Sequence, residues 1–299
     1  MNLGPVVEWL TAGAPPARRP EEVLIGLCHR LLERGLPLYR VAVFVRTLHP
    51  NVMGRAFIWH ADRDVVDITE ADYDFLDSQR YLESPVRAVF NGAGEIRRRL
   101  ADPGCPMDFP VLADFRAEGV TDFLALPLAF IDGEVHAASF ATRRADGFGE
   151  GEVEGLRRVT VALTRVAEIY AQMRKSRNIL EAYLGRHSGA KVLAGHIRRG
   201  DGEDIRAVIW FCDLRDSTAL ADAMSRPDFL ELLNQFFECV LEPVLEHGGE
   251  VLRFIGDAAL AIFPLPHGDL EERADASRRA VQAARAAVER LAGLEAGER

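Results

Sequence analysis

Two stretches limit what this chain can fold into more than any others. The first is Phe211-Cys212-Asp213-Leu214-Arg215-Asp216-Ser217-Thr218, and the second is Arg253-Phe254-Ile255-Gly256-Asp257. Each sets one aspartate where an apolar, strand-like run gives way to a turn, and a helical pattern lies between them. A strand, a helix and a hairpin in that order can carry two distant carboxylates to one end of a sheet. Such a pair suits magnesium, which takes hard oxygen ligands and leaves positions for substrate phosphates. Two such ions activate an attacking oxygen and steady a leaving pyrophosphate. The stretches therefore read as a nucleotide-handling site.

The rest of the composition narrows the class. At 299 residues the chain is long enough for two ordinary domains, and 48% hydrophobic with 27% charged residues is the balance of a globular protein. A formal net charge of −10 argues against a nucleic-acid partner, because phosphate backbones demand basic surface. No apolar run is long enough to span a bilayer, and the first residues lack an export signal, so no membrane association and a cytoplasmic location are expected. Cys28, Cys105, Cys212 and Cys239 are widely spaced, form no metal-binding pattern and fit a reducing compartment. Lysine occurs only at 175 and 191; nearly all other positive charge is arginine.

Along the chain, residues 1–151 read as a mixed α/β domain. Val23, Leu24, Leu27, Leu31 and Leu32 predict a helix over 21–33. Strands are expected at 39–47 and 56–60, an irregular stretch at 62–79, and short helices at 85–90 and 111–117. Asp132-Gly133, between the apolar runs 123–131 and 135–142, predicts a tight hairpin. This order of helix, strands, variable middle and closing hairpin resembles a GAF-type sensor domain. The resemblance implies an unknown small-molecule ligand, for which Trp59, His60, Tyr73 and Phe75 are candidate pocket residues.

Residues 152–202 form a signalling helix and transducer linker. Leu156, Val159, Leu163, Val166, Tyr170, Met173, Leu180 and Leu184 fall at heptad a and d positions, interrupted at Arg177. Two readings are open: a helix packed on its own sensor sheet, or a helix pair joining two protomers into a homodimer. A Gly- and Arg-rich connector is expected from 185 to 202.

Residues 203–299 begin with a strand over 205–212. Ser225, Pro227 and Asp228 announce a helix that Gly248-Gly249 ends. Two strands follow at 250–254 and 259–263 around Ile255-Gly256-Asp257-Ala258, then a final helix from about 270 to 291. Here Phe211-Cys212-Asp213-Leu214 and Ile255-Gly256-Asp257, with Phe236-Phe237 between them, resemble the catalytic domain of class III nucleotidyl cyclases. The resemblance implies an α+β chain whose last part is a partial ferredoxin-like, palm-type domain. It implies Asp213 and Asp257 on two Mg²⁺ (or Mn²⁺) ions, with the Leu214 carbonyl as a further metal ligand. Ser217, Thr218, Gly256 and Arg253 would contact substrate. Arg253 stands where adenylyl enzymes usually carry lysine and guanylyl enzymes glutamate; a cation donates to adenine N1, an acceptor, so ATP is the expected substrate.

The resemblance covers about 204–263. Further family strands, bearing an asparagine and an arginine that stabilise the transition state, have no counterpart in residues 264–299. The expected function is thus a sensor-regulated adenylate cyclase, ATP to cyclic AMP and pyrophosphate, represented here without its distal catalytic half. The alternative is a non-catalytic module that binds ligand and nucleotide and pairs with a complete cyclase. A diguanylate cyclase is disfavoured because the Gly-Gly-Asp/Glu-Glu-Phe signature is absent.

Overall fold

In a computed structural model of the chain, residues 2–47, 52–72, 74–196, 205–265 and 270–297 are described, without side chains at 182–188 and 294–297. They form two compact units, 1–176 and 177–299.

The first unit opens with helices α1 (Gly4–Thr11) and α2 (Pro20–Glu33) and continues with strands β1 (Arg40–Arg46), β2 (Gly54–His60) and β3 (Val65–Ala71). Short helices α3 (Gln79–Leu82) and α4 (Pro85–Phe90) lead to β4 (Ile96–Arg98), α5 (Val111–Ala117), β5 (Asp122–Ala129) and β6 (Val135–Thr142). The strands make one antiparallel sheet in the order β3-β2-β1-β6-β5-β4. Both faces are covered, so side chains of alternating parity on β5 enter different cores. Leu124, Leu126 and Leu128 pack with α1, α2 and the following long helix, whereas Phe123 and Ala125 pack with Val89, Leu112 and Phe115 of α4 and α5.

The expected order of elements is found, with two corrections. Residues 62–79 are not wholly irregular, because they contain β3. That strand is an edge whose Val65 and Ile68 stay largely exposed, so it carries little of the apolar alternation that marks a strand in sequence. The connector expected from 185 is helical at its start, since α6 spans Glu150–Leu193.

Along α6, Leu156, Val159, Leu163 and Val166 lie 0–6% exposed in the core beneath the unit's own sheet. These four heptad positions are committed within the protomer and cannot also form a seam with a second copy. Tyr170 is partly buried against the same core, and Met173 is exposed.

The second unit contains β7 (Ala207–Asp213), α7 (Ser217–Ala223), α8 (Arg226–Glu246), β8 (Glu250–Ile255), β9 (Ala258–Pro264) and α9 (Leu270–Gly297). Its three strands pair antiparallel in the order β7-β9-β8. Ser225 accepts a hydrogen bond from the Asp228 amide and starts α8 as expected. Ala259, Ala261 and Phe263 face α8 and α9, packing with Phe236, Val240, Val244, Ala280 and Ala283. Alanines on α9 let that helix approach the sheet closely. On the opposite face Ile209 is 73% and Phe211 57% exposed, so the second sheet is covered on one side.

Two features of these units yield measurable expectations. A Cβ at Gly249 would stand 2.6 Å from Val244 Cγ1 and 2.8 Å from the buried Phe263 ring. Gly249→Ala is therefore expected to overpack the second unit and cost about 1–3 kcal/mol, read by denaturant unfolding. In the first unit, His136 is 1% exposed, and its Nδ1 accepts the Arg46 amide at 3.1 Å where the β1–β6 ladder ends. Burial first, then the Arg46 charge, press its pKa down from 6.5 to about 4, against a smaller opposing effect of Asp132. The unfolded chain thus takes up this proton first as pH drops. Stability is intact above pH 6.5 and is lost as pH falls toward 4, by about 3 kcal/mol from this residue. His136→Gln should flatten that part of the stability–pH curve.

Candidate functional site

The register of β7 against β9 sets Asp213 opposite Ala258, the first residue of β9. Asp257 immediately precedes Ala258 in the two-residue turn of the β8–β9 hairpin, where Ile255 pairs with Ala258. The two aspartates are thereby brought to the same end of the sheet. Gly256 holds the first turn position at φ +64°, while Asp257 is absent from the positive-φ residues. Glycine first in a two-residue hairpin is the pattern of a type II′ turn, which matches the strand twist.

Asp213, Leu214, Ser217, Thr218 and Asp257 line one open cleft of about 670 Å³. Arg215, Asp216, Ala219 and Asp222 complete its wall. Asp222 is missing from the sequence reading; its signal was spacing, since it stands four residues after Thr218 and shares that side of α7. Gly256 and Arg253 are not among the lining residues.

The Asp-Ser-Thr stretch invites a reading as a simple helix cap. Asp216 does occupy the N-cap of α7, at φ +60°, but makes no side-chain capping bond. The Ser217 hydroxyl instead stands close enough to the Asp257 carboxylate to favour its charged form. That contact, and then the residue's own amide, hold Asp257 below the ordinary carboxylate range. The Asp213 side chain is also within hydrogen-bonding reach of Asp257. Two carboxylates this close repel unless a proton or a cation lies between them.

The donor set fits magnesium or manganese: two carboxylates, with Leu214, whose carbonyl is a further oxygen donor, lining the same cleft. No group of three or more His, Cys, Asp or Glu side chains suited to a metal occurs among the described residues. Further ligands must then come from backbone, water or substrate phosphates, as magnesium in nucleotide sites ordinarily has them.

Arg253 lies outside the cleft but on a meaningful face. A bulge between Val251 and Arg253 shifts the register so that Arg253 pairs with Leu260, which also pairs with Phe211. Directly opposed residues share a face, so Arg253, Leu260 and Phe211 form one row on the uncovered side of the sheet. The next row toward the turn is Asp213, Ala258 and Ile255.

The candidate sensor residues that are described, Trp59, His60 and Phe75, are not gathered into a pocket. Trp59 is buried and donates to Asp64, His60 meets the Tyr39 ring edge-on, and Phe75 packs on Tyr81; Tyr73 lies outside the described residues. No helix among the described residues is long and apolar enough to cross a membrane.

No family model matches the chain. An uncharacterised protein of Mycobacterium tuberculosis strain H37Rv is 40% identical over 121 residues, 40% of this chain and 22% of that protein. An uncharacterised protein of Mycobacterium bovis matches to the same extent. A second uncharacterised protein of the H37Rv strain is 35% identical over 121 residues, 40% of this chain and 21% of its own length. The chain thus spans about a fifth of the length of these curated relatives. Among solved structures, the phycocyanobilin-bound GAF domain of a cyanobacterial phytochrome is 14% identical, with a TM-score of 0.41 over 58% of this chain and 97% of that one. The GAF domain of a phosphoenolpyruvate-protein phosphotransferase from Coxiella burnetii is 19% identical, with a TM-score of 0.36 over 56% of this chain and 93% of its own.

The geometry predicts metal binding that depends on both aspartates. Asp257→Asn is expected to weaken Mn²⁺ binding by on the order of tenfold or more, since affinity in such sites follows ligand charge. Ser217→Ala should raise the Asp257 pKa toward 3.8, because it removes the hydroxyl that favours the charged carboxylate. Manganese paramagnetic resonance reads the first, and carboxyl-carbon NMR titration the second.

Proposed function

We propose that residues 203–299 carry the metal-binding portion of a class III nucleotidyl cyclase site. Its substrate would be ATP, and a GAF-like sensor unit at 1–151 would regulate it. The observation that carries this reading is the meeting of Asp213 and Asp257 at one sheet end, beside the Ser217 hydroxyl. The roles follow from the positions. Asp213, Asp257 and the Leu214 carbonyl would hold two Mg²⁺ or Mn²⁺ ions, which supply Lewis-acid activation of a ribose hydroxyl and neutralise triphosphate charge. Ser217 keeps Asp257 ionised and ready for the metal. Ser217 and Thr218 line the same cleft, and their hydroxyls would meet phosphate oxygens. Gly256 gives the turn its positive φ and so sets where Asp257 stands.

Arg253, one row from Asp213 on the uncovered face, would donate to adenine N1, with Phe211 beside it as an apolar surface for the base. This supports ATP over GTP. The asparagine and arginine that steady the transition state in this family have no counterpart in residues 264–299, so those groups would come from outside these residues. Binding without turnover is therefore the expected behaviour of these 299 residues alone, in agreement with the non-catalytic alternative.

The test is cyclic AMP formation from ATP and manganese by the 299-residue chain, beside Mn–ATP binding and beside Asp257→Ala. Binding that the substitution abolishes, without product, supports the reading. Product that vanishes in Asp257→Ala would show that the chain completes its own site. Absence of Mn–ATP binding would refute the proposal. Arg253→Glu is expected to reduce the preference for Mn–ATP over Mn–GTP by about tenfold, as a donor is exchanged for an acceptor.

A further inference from the structure

The first unit holds a second cavity, remote in sequence from the aspartate cleft. It encloses about 170 Å³ where β1 and β6 part company, against the flank of α6. The β1–β6 ladder ends at the Phe44–Ala137 pair, and the Arg46 amide turns to His136 Nδ1 instead. That bond makes Nδ1 the acceptor and leaves the proton of the neutral ring on Nε2. The opening strands are floored by Phe130, whose ring lies 4.1 Å from that of His136.

Two of the cations that line this cavity have no carboxylate partner among the described residues. Arg46 stacks over Phe90 at 4.6 Å, and its Nε is buried with no hydrogen-bond partner. Neither Arg46 nor Lys175 has an ion-pair partner among the described residues. Of the two lining carboxylates, Asp132 is already occupied, accepting from the Glu134 amide at 3.0 Å and from Gln172 Nε2 at 3.2 Å. Glu134 is half exposed and stands 3.5 Å from His136 Nε2. The orphan Nε is closed off, so an oxyanion in the cavity would meet the other guanidinium nitrogens, together with the Lys175 ammonium. Met53, Phe130 and Ala171 supply apolar wall on the same cavity.

We propose that this cavity is a binding site for a small monocarboxylate. Its carboxylate is taken by Arg46 and Lys175, and its short hydrocarbon end lies against Phe130 and Met53. The size fits: a cavity of ~150 Å³ holds a molecule of about six heavy atoms. A planar carboxylate also matches the guanidinium fork better than a spherical ion does. Ala171, Gln172, Arg174 and Lys175 of the wall all belong to α6. A bound acid would therefore neutralise charge directly on that helix.

The probes are propionate, propionamide and n-propylamine, titrated into the full 299-residue chain and followed by calorimetry and thermal unfolding. Propionate is expected to bind and raise the melting temperature, and the neutral amide and the amine to do neither. Arg46→Gln should weaken propionate by about tenfold or more, as a charge-assisted bidentate contact is lost. Lys175→Met, on the half-exposed helix flank, should weaken it by about threefold while leaving the ligand-free melting temperature unchanged. Failure of propionate to bind would overturn the proposal, as would equal binding of propionate and propionamide. Undiminished binding to a folded Lys175→Met and a folded Arg46→Gln would overturn it too.

Discussion

The candidate site depends on one pairing, Asp213 of β7 against Ala258 of β9. Because β9 lies between β7 and β8, the turn that closes the β8–β9 hairpin emerges beside the end of β7, and Asp257 comes with it. A slip of one residue would turn every side chain of β9 to the opposite face. Ala259, Ala261 and Phe263 would then leave the helices, and Ile262 and Leu260 would replace them. The packing of Phe236, Val240, Val244 and the α9 alanines therefore holds the register, and the register holds the carboxylates together. Stability and site geometry have the same source here.

The two units use helices differently, and the difference has consequences for function. In the first, helices cover both faces of the sheet, so the heptad stripe of α6 is consumed from Leu156 to Val166 within one chain. In the second, α8 and α9 both lie on one face, leaving Ile209, Phe211 and Arg253 uncovered. An apolar sheet face with a cation on it is an unusual surface to leave bare. In the proposed reading it meets the purine and the polypeptide that completes the site.

Much of this architecture was legible before any coordinates. Wherever apolar residues alternate sharply or end at a strong turn signal, the boundaries followed: Asp132-Gly133 between β5 and β6, and Ser225 and Pro227 at α8. β3 escaped because an edge strand whose side chains stay mostly exposed is under little pressure to alternate. The helical start of the 185–202 connector escaped because Gly185 and Gly189 disfavour helix only weakly beside a long helix already formed. Trp59, a candidate sensor residue, serves the core instead, and its indole N–H is satisfied by Asp64.

By itself, the sequence determined the local material of the site: an aspartate after an apolar strand, a Gly-Asp turn with the positive φ that glycine permits, and a helix between them. It could not determine three things that pairing decided. The Ser217 hydroxyl, at the start of α7, came to stand beside the Asp257 carboxylate because the turn of another hairpin arrived within reach. Asp222 joined the cleft through the rotation of a helix only seven residues long. Arg253 reached the open face through a single bulge after Val251; in an unbroken strand it would have pointed at α8. Residue types are local properties and can be read one by one. Facing is a property of register, and register is settled only when two strands from distant parts of the chain meet.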